Sequence, residues 1–486
     1  MTPTSNISLE AMHETATGIF TEALKACNIA SAFDRRLHFE GNTLKRLMPD
    51  GSGPASIDIS KFKRVFVIAL GKAAGPMLEI LLDRMKRRIG VRGICCSNQL
   101  PIKRSWRFRY FEGGHPVPNE DSFAAARAAL DMLRKARKDT LVFFLISGGG
   151  SAMFDLPLDP KITLDETIAF HRLLLGSGAP INEINTLRKH FSAVKGGRLA
   201  MAAPEATKVS LLLPDVPLRS LDALSSGPTS PDHSTVADVR SLLAKYNLAE
   251  RLPASIREFF EREDLPESPG NKARRVTFLP HRMPWASEQP SPRSMTAADN
   301  MTGEDEEFRD SVFEILLSSH DLVENARAAA RNAGYHVVVD NSCDDWDYAD
   351  AARYLLERFH VLRGTHKRLC LISVGEVTVT LDRKPGAGGR NQQFALACAL
   401  ELANHPGERL TVLSAGSDGI DGNTQSAGAI ADPTTVERAR AFSFLPELAL
   451  AKFNACPLFT ALGDSVVTGP TGQNLRDVRL LISESE

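Results

Sequence analysis

Apolar and polar positions follow two rhythms that alternate along most of the chain. From 13 to 33, Ala16, Ile19, Phe20, Ala23, Leu24, Cys27 and Ala30 recur at helical spacing, which predicts one amphipathic helix. RVFVIAL (64–70) is a continuous apolar run, the pattern of a strand covered on both faces, and it turns through GKAAGPM into the helical EILLDRMKRR. LVFFLIS (141–147) repeats the strand and enters SGGGS. A helix begins near Thr163, where Thr163 and Glu166 have capping-box spacing. The pattern predicts a further helix from Asn182 through GGRLA, then another buried strand, KVSLLLP (208–214). This alternation predicts an α/β protein whose N-terminal domain, 1–265, is Rossmann-like, with a doubly wound, largely parallel sheet.

Between 266 and 310 the periodicity lapses into PESPG, MPWASEQPSPRSMTAADN and the acidic GEDEE, the composition of a linker or mobile loop. A smaller C-terminal α/β domain is expected over 311–486. It opens with a helix over 311–333 and continues through YHVVVD, RLCLIS and the alternating VTVTL. Residues 368–381 read as a tight hairpin, which makes the second sheet a mixed one. A glycine-rich loop, the helix NQQFALACALEL and the strand LTVLS complete it.

The 486 residues suit two or three domains. With 58 basic and 59 acidic side chains the chain lacks the basic excess of a general nucleic-acid binder, which leaves room only for local anion sites. Its seven cysteines form no CxxC pair and are odd in number, so buried reduced thiols are expected rather than a disulfide framework. No apolar run approaches the roughly 20 residues of a spanning helix. The first residues carry no export or transit pattern. The expectation is a cytoplasmic protein, monomer or homodimer, with small-molecule ligands and neither membrane nor nucleic-acid partners.

Candidate chemistry gathers where strands run into glycine-rich loops: Gly71–Gly75, Ser147–Ser151, Gly386–Asn391 and Ala415–Gly422. In open α/β sheets, ligands bind beyond the carboxyl ends of the strands, near backbone amides and helix N-termini. Lys72 stands at a predicted helix start, where a cation opposes the macrodipole and a bound anion would compensate. Arg390, in GAGGRNQQF, repeats the situation. A lysine and an arginine of this kind suit phosphoryl transfer, whose transition state is stabilised by positioning and positive charge. SGGGS offers amides that can approach an anion without Cβ obstruction, flanked by two hydroxyls. Arg188 and Lys195, two turns apart in INEINTLRKHFSAVKGGRLA, form either a solvated basic stripe or part of an anion site. Gly196 and Gly197 there point to close approach by backbone or ligand. Asp215 follows a buried strand, and Asp418 and Asp421 lie in SAGSDGIDGN; each suits Mg²⁺, a substrate hydroxyl, or simply a turn. Neither a GxxxxGK[ST] P-loop nor a strand-linked GxGxxG is present.

In their order, ALGKAAGPM, EGGHPVPNEDS, SGGGSAMFDLP, INEINTLRKHFSAVKGGRLA, SSGPTSPD, GAGGRNQQFALA, SAGSDGIDGN and GDSVVTGPTGQN closely resemble the MOFRL-type glycerate 2-kinases, a family also labelled hydroxypyruvate reductase. The resemblance implies ATP- and Mg²⁺-dependent phosphorylation of D-glycerate to 2-phosphoglycerate in an interdomain cleft. It places the family's essential lysine on Lys72 and its essential arginine on Arg390. The site expected from residues and resemblance together has Lys72, Arg390 and Asp215 as catalytic groups. Gly71, Ser147, Gly148, Gly149, Gly150, Ser151, Arg188, Lys195, Gly388, Gly389 and Asn391 would hold substrate or phosphate, and Asp215 and Asp418 the metal. The alternatives are an NAD(P)H-dependent hydroxypyruvate reductase, opposed by the missing fingerprint, and a non-catalytic sugar-acid-binding protein. Two stretches depart from the family pattern. Val374 and Val377 replace a glycine and a threonine of its SGGETTV, and Leu218-Arg219-Ser220 replaces a glycine followed by acidic or amide residues.

Overall fold

The computed structural model describes residues 8–47, 54–85, 90–270, 308, 311–381 and 384–484. Two compact units result, one of residues 29–316 and one of residues 1–28 with 317–486.

The first unit is built on six parallel strands: β1 (Arg64–Leu70), β2 (Val91–Cys96), β3 (Phe108–Phe111), β4 (Thr140–Ser147), β5 (Thr207–Leu213) and β6 (Ser311–Ile315). Their order in the sheet is β3-β2-β1-β4-β5-β6. Every residue of β4 is buried, as a strand with both faces covered requires. The chain winds outward from β1 to β3, returns beside β1 and winds the other way from β4. Between β1 and β4 the following loops diverge, and there a doubly wound sheet opens a crevice. The expected cap forms, with Thr163 and Glu166 starting helix Leu164–Leu175, and Asn119 caps helix Glu120–Leu133 in the same way. Phe170, Phe191, Phe259 and Phe260 build a second core among helices of this unit, with the Phe170 and Phe191 ring centroids 4.5 Å apart.

The second unit holds a mixed sheet of β7 (His336–Val339), β8 (Arg368–Val374), β9 (Leu410–Gly416), β10 (Gly428–Ala431), β11 (Ser465–Val466) and β12 (Asp477–Glu484), in the order β7-β8-β12-β9-β10-β11. Only β7 and β8 pair in parallel. Six of the seven cysteines are buried and none is paired, as expected of reduced thiols.

Several boundaries differ from the sequence expectation. Helix Leu9–Ala26 buries Met12, Ala16, Ile19, Phe20 and Ala23 against helix Ser319–Asn332 and the mixed sheet, so the N-terminal residues belong to the second unit. That helix stops at Cys27, and Ile29–Arg36 forms a separate one. The helix expected over 311–333 is the strand β6, paired with β5, followed by helix Ser319–Asn332, which Ser318 and Asp321 start with a capping box. Residues 368–381 make no hairpin: β7 and β12 occupy both edges of β8, and Thr378 bridges to Asp347 instead. Apart from 266–270 and Phe308, the linker expected over 266–310 lies outside the described residues.

Candidate active site

The carboxyl ends of β1, β4 and β5 carry Gly71 and Lys72, SGGGS, and Asp215. At Gly71 the backbone turns at φ +105°, and a Cβ there would lie 2.4 Å from the Ser147 carbonyl oxygen. Only glycine lets these loops touch. Lys72 N donates to Gly148 O (2.9 Å) and Ala73 N to Ser147 Oγ (3.0 Å), which laces the loops together ahead of helix Ala74–Met85. Ser147 is therefore a structural acceptor rather than a free donor. Among the described residues the Lys72 ammonium has no hydrogen-bond or ion-pair partner. Its charge reaches His115, whose pKa burial and then Lys72 push down.

Each glycine of SGGGS meets a side chain of the protein. A Cβ on Gly148 would fall 1.9 Å from Asp215 Oδ2, one on Gly149 3.1 Å from Lys72 Cγ, and one on Gly150 2.3 Å from Ser225 Oγ. The triple glycine thus brings Asp215 and Lys72, two of the expected catalytic groups, onto one loop. Ser151 Oγ shares a hydrogen bond with Ser226 Oγ (2.8 Å), and Ser226 Oγ donates to Asn185 Oδ1 (3.0 Å).

Asn185 lies in helix Ile181–Phe191, which ends nine residues short of the expected GGRLA end at Ala200. Gly196 and Gly197 lie beyond it at φ +54° and +81°, their amides donating to Ser226 O and Gly227 O. Close backbone approach is the reason for this pair. Arg188 and Lys195 are not a solvated stripe. Lys195 is 1% exposed and ion-paired with Asp155, which also meets His171 Nε2 (2.8 Å) and the Ser192 hydroxyl (2.7 Å). Burial pushes the Lys195 pKa down to about 8, against the pull of Asp155. This internal partner takes Lys195 out of direct ligand binding. Arg188 is 6% exposed and has no hydrogen-bond or ion-pair partner among the described residues. Sequence reasoning missed Lys189, whose Nζ donates to Asp222 Oδ2 (2.9 Å) and Asp232 Oδ1 (3.2 Å), and also Asp155. Burial of a polar residue inside an otherwise amphipathic helix gave no local signal.

The second unit holds Arg390 at the start of helix Arg390–Leu402. The anion expected at this corner is supplied by the protein. Asp421 accepts from Asn391 N (3.0 Å) and Gln392 N (2.9 Å), and a Cβ on Gly389 would fall 2.3 Å from its Oδ1. Gly388 N donates to Asn423 Oδ1 (2.9 Å) and Asn391 Oδ1 accepts from Ser414 Oγ (2.7 Å), so Gly388, Gly389 and Asn391 all serve this cap. Arg390 itself is clamped: Nε donates to Asp477 Oδ2 (2.5 Å) and Nη2 lies 2.7 Å from Glu376 Oε1. Burial pushes the Asp421 pKa up to about 7, against its amide bonds and the Arg390 charge.

Asp418 Oδ1 accepts from Ile420 N (3.1 Å), the geometry of a turn. Among the described residues no three His, Cys, Asp or Glu side chains converge as a metal cage. Asp215 and Asp418 belong to different units. Mg²⁺ bound with a nucleotide needs only one or two carboxylates besides phosphates and water, and Asp215, against the Gly148 backbone, fits that smaller requirement. The two departures have local explanations. Val374 ends β8, paired with Val478, and the positive φ (+143°) falls on Gly375; Val377 is 2% exposed in the core of the second unit. Leu218 to Ser220 begin a 3-10 turn after Pro217.

Residues 15–261 match the family model described as a domain of unknown function, DUF4147, and residues 369–477 match that of the MOFRL family. The chain is 32% identical over 430 residues to a protein named glycerate 2-kinase from Pyrococcus horikoshii, covering 87% of this chain and 88% of that one. It is 30% identical over 444 residues to the D-glycerate 2-kinase of Thermotoga maritima, covering 90% and 94%. The solved structure of a glycerate kinase from Thermotoga maritima matches with a TM-score of 0.75 at 27% identity, covering 98% of this chain and 100% of that one. No helix among the described residues is long and apolar enough to cross a membrane.

Proposed function

Because the chain belongs to the MOFRL-type glycerate kinase family, we propose that it transfers the terminal phosphoryl group of ATP to D-glycerate and releases 2-phosphoglycerate. The observation that carries this reading is Lys72, a cation held where the parallel sheet reverses its winding, with no anion among the described residues to bind it. Phosphoryl transfer leaves a protein little covalent chemistry to perform, so fixed positive charge and alignment supply most of the rate. Lys72 neutralises phosphate oxygens as charge shifts between them. Asp215, set against Gly148, orients the attacking hydroxyl by accepting its hydrogen bond and then its proton. The same carboxylate is the residue that would hold Mg²⁺, which when bound supplies further charge neutralisation. Arg390, held by Asp477 and Glu376 in a single orientation, is the arginine the resemblance implies for catalysis.

The test is a coupled ADP-release assay with ATP, Mg²⁺ and D-glycerate, the product being identified by NMR. Glycerate-dependent ADP release with 2-phosphoglycerate as product is expected. Oxidation of NADH by hydroxypyruvate without nucleotide would replace the kinase reading with a reductase, and binding of the acid without turnover would replace it with a sugar-acid sensor.

A further inference from the structure

Two groups of charges, built around buried cations, line helix Ile181–Phe191, and only one has enough carboxylates to neutralise its cations. Lys189 and Arg198 face three carboxylates, Asp222, Asp232 and Glu267, which more than offset them. The other group comprises Arg188, Lys195, Asp155 and His171, whose charges act on one another. Asp155 is matched by Lys195, and burial holds the His171 pKa down, so its ring is neutral. The group keeps one positive charge in excess, and it resides on Arg188, whose Nε is buried without a hydrogen-bond partner. Buried cations are ordinarily paired, because desolvation makes an isolated one costly.

The position of Arg188 says what would pair with it. Asn185, one turn earlier on the same helix face, reaches Ser226 and through it Ser151 of SGGGS. That face therefore meets the loop against which Lys72 and Asp215 pack. Asn185's amide nitrogen donates to no described residue. We propose that Arg188 is the specificity-determining residue of this site, binding the carboxylate of the hydroxy-acid substrate through its guanidinium, with the Asn185 amide beside it. A planar fork of N–H donors matches the two oxygens of a carboxylate, whereas the point charge of Lys72 suits a phosphate oxygen. The inference rests on the kinase reading for the identity of the acid, and not for the need of an anion.

The test compares the full-length protein with Arg188→Met and Arg188→Lys. An unpaired cation predicts that Arg188→Met leaves the thermal midpoint of the ligand-free protein unchanged or raised, where a structural ion pair would lower it. D-glycerate affinity, read by calorimetry without nucleotide and as KM in the coupled assay, should fall about 100-fold in Arg188→Met and less in Arg188→Lys, with KM for ATP unchanged. Unchanged glycerate affinity in both variants overturns the proposal, as does a loss confined to ATP, which would put Arg188 on the nucleotide. A drop in midpoint or failure to fold in Arg188→Met overturns the unpaired cation; Arg188→Lys then shows through its glycerate KM whether the acid contact survives. If the wild-type protein releases no ADP, the kinase reading fails, and binding of glycerate and of other 2-hydroxy acids to wild type and Arg188→Met still decides this one.

Discussion

The α-carbon of Gly148 lies against the carboxylate of Asp215, so closely that a Cβ on residue 148 would sit 1.9 Å from Asp215 Oδ2. Gly148→Ala must therefore displace Asp215 or the loop. A shift on the order of 1 Å in a positioning group can lower turnover about 100-fold, and overpacking costs roughly 1–3 kcal/mol. We expect kcat to fall by that factor with a modest loss in urea-denaturation stability. Gly18→Ala is the contrasting control. Gly18 lies in helix Leu9–Ala26 with nothing within 4 Å of its added Cβ, so the change should stabilise the protein by about 0.5–1 kcal/mol and leave kcat unaltered.

Lys72→Ala separates catalysis from folding. With no described partner for its ammonium, its removal leaves no charge of the protein stranded. Stability should stay within about 0.5 kcal/mol of wild type. Turnover should fall by about 10²–10³, the range for losing one preorganised charge or donor at a transition state. Steady-state kinetics and a melting curve on the same preparation check both halves, and near wild-type kcat would remove Lys72 from the mechanism.

Arg390→Ala should behave differently despite the same expected loss of turnover. Removing this guanidinium strands Asp477, which is 3% exposed, together with Glu376. Breaking such a pair costs about 1–3 kcal/mol, with the lower end favoured because a third of Arg390 reaches solvent. Arg390→Ala/Asp477→Asn should recover part of the stability and none of the turnover. Equal stability of Arg390→Ala and wild type would contradict the clamp.

How far the sequence announced these features depends on the range of the interactions behind them. The apolar runs of β1 and β4 declare strands covered on both faces, and Asn119 and Thr163 declare helix starts, because hydrophobic period and capping are local. Strand β6 was hidden since SVFEI abuts a helix, and its state is set by pairing with Lys208 to Leu212, a hundred residues earlier in sequence at about that scale. Lys72 and Arg390 look alike locally, each a cation at a helix start. They differ because folding brings Glu376 and Asp477, 14 and 87 residues away, onto Arg390, whereas nothing described pairs with Lys72. Helix polarity identified both positions and could not tell a paired cation from a free one. The charge excess on Arg188 was likewise invisible, because it depends on which carboxylates reach the same interior.

Asp421 makes the fold of the second unit sensitive to pH. Its carboxyl is 1% exposed, and burial raises its pKa to about 7 from an ordinary value of 3.8. A carboxyl with a raised folded pKa binds its proton more tightly in the native state, so between about pH 4 and 7 the folded protein holds more protons than the unfolded chain. Stability from this group is greatest below about pH 4, declines as pH rises toward 7 and stays at its lower level above it. The full effect is on the order of 4 kcal/mol across that window. Asp421→Asn removes the titration while keeping one acceptor for the amides of Asn391 and Gln392. Urea denaturation of both proteins between pH 4.5 and 9 should show the wild type losing stability relative to the variant as pH rises, with the difference constant above about pH 8. A difference that stayed flat across the range, or ran in the opposite direction, would show that the amides and Arg390 hold Asp421 ionised throughout.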